Sequence, residues 1–105
     1  MALHHVQPAE KTRLPSVSDP TAKTAALVKA DGFEAVHLVI RAGEEIASHS
    51  VPGHATVHCL EGRVHLDIRE KVQLAAGDWL YLERGQEHSV AAVEDSALLV
   101  TILFD

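Results

Sequence analysis

Histidine side chains are the groups in this sequence best suited to chemistry, because imidazole can bind a transition metal or exchange a proton near neutral pH. The chain contains eight histidines among its 105 residues. Three of them lie in the stretch 42–63, and another lies near the end of a second stretch, 76–90. Glycines bound both stretches, so each is predicted to form a pair of strands with imidazole near a loop. A sheet that curls on itself would bring His49 and His88 together, where a metal ion or a small molecule could bind.

His54 is the candidate for a third metal ligand, and His58 is a weaker one. Alternation along a strand places both side chains on one face, about 13 Å apart, which is too far for them to share one ion. The opposite face carries Ala55 and Val57, which make the better core. His54 therefore points inward only if the turn before it shifts the strand by one residue. The pattern alone leaves the choice of inner face open.

The composition limits the class of protein. A length of 105 residues predicts one domain with a modest core. Hydrophobic residues make up 47% of the chain and aromatic residues only 4%, so aliphatic side chains must fill that core, which favours sheet. The formal net charge is -6 and the basic residues are scattered, which argues against a nucleic-acid partner or an anionic membrane. The single cysteine, Cys59, excludes an intrachain disulfide, and we expect a cytoplasmic protein with no membrane span.

The chain is predicted to divide into an extended N-terminal arm, residues 1–22, and a barrel domain, residues 23–105. The arm holds three of the four prolines and shows little apolar periodicity. Beyond it, short apolar runs alternate with turn residues, a pattern typical of an all-β sandwich or barrel. No segment has a helical period. Eight or nine strands are predicted, at residues 22–29, 33–40, 54–60, 64–68, 72–74, 78–82, 89–93 and 97–104.

The two histidine-containing stretches resemble the two motifs of the cupin superfamily, in particular its small RmlC-like members of the cupin 2 conserved barrel type. Those motifs are G-x5-H-x-H-x3/4-E-x6-G and G-x5-P-x-G-x2-H-x3-N. The matching positions are Gly43, His49 and Gly62 in the first motif, and Gly77, Gly85 and His88 in the second. The resemblance covers residues 24–104. It implies a single-domain antiparallel jelly-roll β-barrel, also called a double-stranded β-helix.

The first motif is degenerate in this chain. The second histidine of the family motif falls on Val51, and its glutamate falls on Ala55. In the second motif, Glu83 stands in place of proline and Ala92 in place of asparagine. Only two of the four usual ligands of the family remain, whereas a catalytic divalent ion generally has three protein ligands.

The resemblance implies that the functional site lies inside the barrel. We expect His49, His54 and His88 to bind a divalent transition metal (Mn, Fe, Ni, Zn or Cu) next to a small molecule, as in cupin oxygenases and isomerases. The alternative is a metal-free barrel that binds or senses a small ligand without catalysis. The sequence leaves open whether the chain is an enzyme.

Expectations also follow for the cavity wall and the outer surface. Val51, Ala55, Trp79 and Tyr81 are expected to line the cavity. A mostly aliphatic barrel has exposed edges and apolar outer strands, so we expect a homodimer that covers them. His37 alternates with apolar strand residues and is expected to be solvated or hydrogen-bonded.

Overall fold

The computed structural model describes residues 5–104, and every regular element in that range is a β-strand. The all-β prediction is therefore confirmed, and this part of the chain has no helix that could cross a membrane. The first four residues of the predicted arm and the last residue of the predicted barrel lie outside the described range. The strands are β1 (Ala25–Lys29), β2 (Phe33–Ile40), β3 (Glu45–His49), β4 (His54–Glu61), β5 (Arg63–Asp67), β6 (Lys71–Ala75), β7 (Trp79–Leu82), β8 (His88–Ala92) and β9 (Ser96–Leu103).

The strands form two antiparallel sheets. The larger sheet has the order β1-β2-β9-β4-β7, and the smaller sheet has the order β3-β8-β5-β6. The chain crosses between the sheets after β2, β3, β4, β6, β7 and β8, so strands that are far apart in sequence become neighbours. This alternation between two sheets gives the jelly-roll topology that the resemblance implied.

The inner faces of both sheets are aliphatic. On β4, Ala55, Val57 and Cys59 are buried, whereas His54 and His58 on the alternate positions are only partly buried. Consecutive residues of a strand point to opposite sides of the sheet. The sequence left open which face of β4 points into the barrel. The inner face is the apolar one, and the histidines of this strand point outward.

Five of the eight predicted strand starts are wrong by one residue and the start of β1 is wrong by three. At β7 and β1 the cause is a turn residue that is held by a hydrogen bond. Asp78 was predicted to begin β7, but its carboxylate accepts a hydrogen bond from the backbone N–H of Ala75 at 2.9 Å and closes the preceding turn. Ala22 was predicted to begin β1, but its carbonyl oxygen accepts a hydrogen bond from the Arg41 guanidinium at 3.2 Å. β1 therefore begins only at Ala25.

The described part of the predicted arm, residues 5–22, lies against its own barrel. The carboxylate of Glu61, at the end of β4, accepts hydrogen bonds from the Ser16 hydroxyl at 2.7 Å and from the Val17 backbone N–H at 3.0 Å. The guanidinium of Arg41, which follows β2, donates to three carbonyl oxygens of the arm at 2.7, 3.1 and 3.2 Å. One anion and one cation of the barrel therefore hold the arm. The division of the chain at residue 22 stays a prediction.

Replacing Glu61 with alanine should loosen the arm, because both hydrogen bonds from Ser16 and Val17 end on its carboxylate. Losing about 1 kcal/mol of local stability exposes a segment several-fold more often. Limited trypsin digestion should therefore cleave after Arg13 several-fold faster in Glu61→Ala than in the wild type. Glu70→Ala, which changes a carboxylate in the β5–β6 turn, is the matched control and should leave the rate unchanged. Equal cleavage in all three proteins would contradict the anchoring role of Glu61.

Candidate functional site

The candidate site is built where β3 and β8 meet. His49 is the last residue of β3 and His88 is the first residue of β8, and the two stand directly opposite each other in the antiparallel ladder. A register shift in β3 between Ile46 and His49 sets this pairing. The ring centroids are 4.3 Å apart and the ring planes are inclined at 55°. His88 is buried and His49 is exposed, so the pair runs from the barrel interior to its surface.

Hydrogen bonds to the backbone orient both imidazoles in the same way. The Nδ1 atom of His49 lies 2.9 Å from the carbonyl oxygen of Ala47, and that of His88 lies 3.0 Å from the carbonyl oxygen of Gln86. A carbonyl oxygen can only accept a hydrogen bond, so each Nδ1 carries the hydrogen. In the neutral ring the lone pair is then on Nε2. No group of residues 5–104 is hydrogen-bonded to either Nε2 atom, so two neighbouring acceptors are available to a ligand.

A cavity of about 170 Å³ lies between the two sheets next to this pair. Twelve of its fourteen lining residues are aliphatic, and the other two are His49 and His88. Val51 and Ala55, which occupy the positions of two family ligands, are among the aliphatic residues. We call the end of the cavity formed by the two imidazoles and Val51 its mouth. The side-chain polar groups of the cavity are thus confined to the mouth.

His54 does not join the imidazole pair. It lies on the outer face of β4, on the side of the strand opposite the cavity-lining Ala55. Its Nδ1 atom is 2.8 Å from the Tyr81 hydroxyl oxygen, and the two rings are stacked with centroids 5.9 Å apart. The one-residue shift that would turn His54 inward does not occur, because Ala55 and Val57 fill the inner face. The assignment of His54 as a third ligand is therefore corrected.

Trp79 and Tyr81 also lie outside the cavity, which corrects their assignment to its wall. They alternate along β7 with Leu80 and Leu82, and the leucines take the inner face, where an indole N–H or a phenol hydroxyl would have needed a hydrogen-bond partner. Leu82 lines the cavity, whereas Trp79 is 61% exposed and Tyr81 is 48% exposed. His58, the weaker ligand candidate, is paired with Trp79 on this outer face.

Two imidazoles are the donor set that the cavity offers to a metal ion. Within residues 5–104, no three or more histidine, cysteine, aspartate or glutamate side chains form a group that could hold a metal. The side chains of Val51 and Ala55 have no donor atom. Because catalytic divalent ions generally have three protein ligands, this donor set does not fit a resident catalytic metal.

Some groups of the site were not predicted from the sequence. The carbonyl oxygens of Ala47 and Gln86 fix the tautomers of His49 and His88. Each lies two residues before its histidine, and this equal spacing is the feature of the sequence that could have identified both hydrogen bonds. Leu66 and Leu98 form part of the cavity wall. The alternation of apolar residues in β5 identifies Leu66 as inward-facing, whereas the continuous apolar run 97–100 of β9 leaves the orientation of Leu98 undecided.

Comparison with known proteins matches the geometry. A family model described as a cupin domain matches residues 36–104. No curated protein is significantly similar to the chain in sequence.

Solved structures of similar fold cover from 78% to 100% of the chain. A cupin superfamily protein from Desulfitobacterium hafniense is 20% identical, with a TM-score of 0.80 and 100% of both chains covered. An RmlC-like cupin protein from Desulfovibrio desulfuricans is 25% identical, with a TM-score of 0.71, and the match covers 98% of this chain and 96% of that one. The DMSP lyase DddQ from Ruegeria pomeroyi is 19% identical, with a TM-score of 0.72, and the match covers 78% of this chain and 46% of that one. These similarities establish a shared fold.

Proposed function

The chain belongs to the cupin domain family, and from this premise we propose that it binds a small molecule inside its barrel. The observation that carries the proposal is the pair of imidazoles at the mouth of an otherwise aliphatic cavity. His49 and His88 offer two neighbouring Nε2 atoms to the polar part of a ligand, while the cavity accepts its apolar part. Concave, mostly apolar sites with a few convergent polar groups are the usual form of a small-molecule site.

The donor set favours the metal-free form of this function. A binding or sensing barrel needs only a cavity and a polar contact that fixes the orientation of the ligand. Val51 and Ala55 remove two of the ligands through which the family holds a metal, and they add apolar surface to the cavity wall instead. The same two replacements that weaken a metal site therefore improve a site for an apolar ligand.

A metal-dependent oxygenase or isomerase is the second candidate, and one specific observation favours it. Each imidazole donates its Nδ1 hydrogen to a backbone carbonyl, which is how metal-binding histidines are usually oriented. His49 and His88 would then hold Mn, Fe, Ni, Zn or Cu only together with donor atoms that water or the small molecule supplies.

Ligand binding is expected to depend on the imidazole pair and not on the outer histidines. The measurement is ligand-observed NMR of a library of small fragments, carried out on the wild type, on His49→Ala/His88→Ala and on His54→Ala/His58→Ala. We expect fragments that bind the wild type to lose at least about tenfold in affinity in the first variant, because its mouth has no polar group left. The second variant removes two imidazoles from the outer face and should bind them as the wild type does.

Two outcomes would redirect the assignment. Equal loss of binding in both double variants, or in neither, would show that the mouth is not the site. One equivalent of a transition metal in the untagged wild-type protein, retained in His54→Ala/His58→Ala and lost in His49→Ala/His88→Ala, would favour the metal-dependent candidate. Elemental analysis of the three purified proteins measures this directly.

The expected homodimer and the cytoplasmic location stay predictions. Large apolar side chains on the outer face of the larger sheet support the first of them, since a second copy would bury them. Trp79, Tyr81, Phe33 and Leu103 are each more than one-third exposed.

A further inference from the structure

We infer that the barrel takes a compact apolar molecule of about the size of one six-membered ring, carrying a single neutral hydroxyl group that donates a hydrogen bond to the imidazole pair. A monocyclic phenol is the simplest member of this class. The inference rests on the proposed small-molecule function and deepens it, because it specifies the body and the head group of the ligand.

The cavity wall determines the apolar body. All lining residues other than His49 and His88 are aliphatic, so their side chains offer no hydrogen-bond donor or acceptor beyond the mouth. Each polar group of a ligand that entered the cavity would lose its water without gaining a partner, and that loss is costly. Sugars, sugar phosphates and other ligands with several hydroxyl groups are therefore a poor match, whereas a hydrocarbon body gains from the burial.

The volume of the cavity sets the size of that body. At about 170 Å³ it is slightly larger than an engineered 150 Å³ cavity in another protein, lined by Leu, Ile and Phe, that stays dry and binds benzene. One ring therefore fits inside the aliphatic wall, and a larger body would have to extend out through the mouth or move the wall. Close packing of the buried leucines around it, Leu66, Leu82 and Leu98, resists such a movement.

The imidazole pair determines the head group. With Nδ1–H bonded to the carbonyl oxygens of Ala47 and Gln86, Nε2 is the acceptor of each neutral ring, and both residues line the cavity. Two neighbouring acceptors repel a ketone, an ether or a carboxylate, which would bring further lone pairs. A hydroxyl group donates its hydrogen to one Nε2 and satisfies it without any change of protonation. His88 is the buried member of the pair and is therefore the one that the proposal assigns to this contact, with His49 nearer to solvent.

The test compares probes of one size with different head groups, using isothermal titration calorimetry at pH 8 on the wild-type protein. Phenol should bind about tenfold more tightly than toluene, since the two differ only by a hydroxyl group in place of a methyl group, and one hydrogen bond accounts for the difference. Glucose should not bind. In His49→Ala/His88→Ala the affinity for phenol should fall to that for toluene, while the affinity for toluene should change little. His54→Ala/His58→Ala should keep the full preference.

A cavity-filling variant tests whether the apolar part of the ligand lies in the cavity. Ala55→Leu places a larger side chain on the inner face of β4 and should abolish binding of both phenol and toluene, whereas Thr56→Leu changes the adjacent, outward-facing position and should not. Circular dichroism reports whether each variant is folded. The comparison of probes on the wild type needs no variant, so it decides the matter even if Ala55→Leu does not fold.

The possible failures are distinguishable. Toluene binding as tightly as phenol would overturn the head-group assignment, and benzoate binding more tightly than phenol would do so too, because it would show a site for an anion. If phenol and toluene do not bind but another fragment does, in a manner that depends on His49 and His88, the ligand class is wrong and the proposed function stands. If no fragment binds the wild type at all, the proposed function itself fails.

Discussion

Replacing Gly62 with alanine is expected to destabilise the protein by about 3 kcal/mol, which combines backbone strain with overpacking. Gly62 connects β4 to β5 with a φ of +83°, in the left-handed region that L-residues other than glycine rarely adopt. A methyl group at this position would also overlap the backbone carbonyl oxygen of Asp95 and the hydroxyl of Ser96. Ser96 cannot easily move away, because it is fully buried and its hydroxyl accepts a hydrogen bond from the Arg63 N–H at 3.0 Å.

Gly43→Ala is the matched control for Gly62→Ala. Gly43 has a similar φ of +84°, but an added Cβ would have no atom within 4 Å, so the substitution should cost only the backbone strain, about 1 kcal/mol. Urea denaturation of the three proteins measures the difference in the free energy of unfolding. Similar losses in both variants would mean that the crowding around Gly62 relaxes and that φ alone decides the cost. A glycine that both reverses the chain and touches a neighbouring loop should be the less replaceable of the two.

The fold could be predicted because its signal is local and repeated. Alternation of apolar residues in β2, β4 and β5, and the apolar run of β9, indicate strands in each segment separately. Gly62 and Gly77 mark turns where the chain reverses with positive φ. The strand boundaries were less accurate, because a side chain such as that of Asp78 ends a turn through a hydrogen bond that alternation does not reveal. Local pattern therefore predicts which segments are strands better than where they begin.

The candidate site could be predicted only in part. The matching motif positions singled out His49 and His88, and the structure places them opposite each other. For His54 the sequence contained two conflicting signals, a motif position one residue away and an apolar face on the neighbouring residues. Burial decides such a conflict, since turning His54 inward would expose Ala55 and Val57 to solvent and place an imidazole in an aliphatic wall. Trp79 and Tyr81 of β7 lie on the outer face for the same reason, since turning them inward would expose Leu80 and Leu82.

Long-range contacts account for what the sequence did not reveal. Glu61 binds arm residues 44 and 45 positions earlier in the chain, and no spacing rule connects residues so far apart. His37 was expected to be solvated or hydrogen-bonded, yet it is only 2% exposed and its Nε2 atom has no hydrogen-bond partner among residues 5–104. The burial of His37 has a measurable consequence, because a buried imidazole resists protonation.

The stability of the protein is expected to fall with acidification below about pH 6.5, the ordinary pKa of histidine, and His37 should contribute to that fall. Burial lowers the pKa of His37 in the folded state, although the nearby carboxylate of Glu61 opposes the shift. The unfolded chain therefore binds a proton at His37 more readily than the folded one. The contribution of His37 to stability is complete above its unfolded pKa and is lost as the pH falls from there to its folded pKa. The slope due to one such group is at most about 1.4 kcal/mol per pH unit.

His37→Leu isolates this contribution. Leucine has a comparable volume and cannot be protonated, and because Nε2 has no partner the substitution breaks no hydrogen bond of that atom. The variant should be more stable than the wild type by about 1 kcal/mol at pH 8, since it removes an unsatisfied buried polar atom, and by more at pH 5. His65→Leu changes a half-buried histidine on β5 of the smaller sheet and serves as the matched control for replacing an imidazole with leucine. Urea denaturation from pH 5 to pH 8 measures the free energy of unfolding of all three proteins.

A free energy of unfolding that falls as steeply with pH in His37→Leu as in the wild type would show that His37 is protonated equally well in the folded and unfolded states. Its burial would then have no role in the acid sensitivity of the fold.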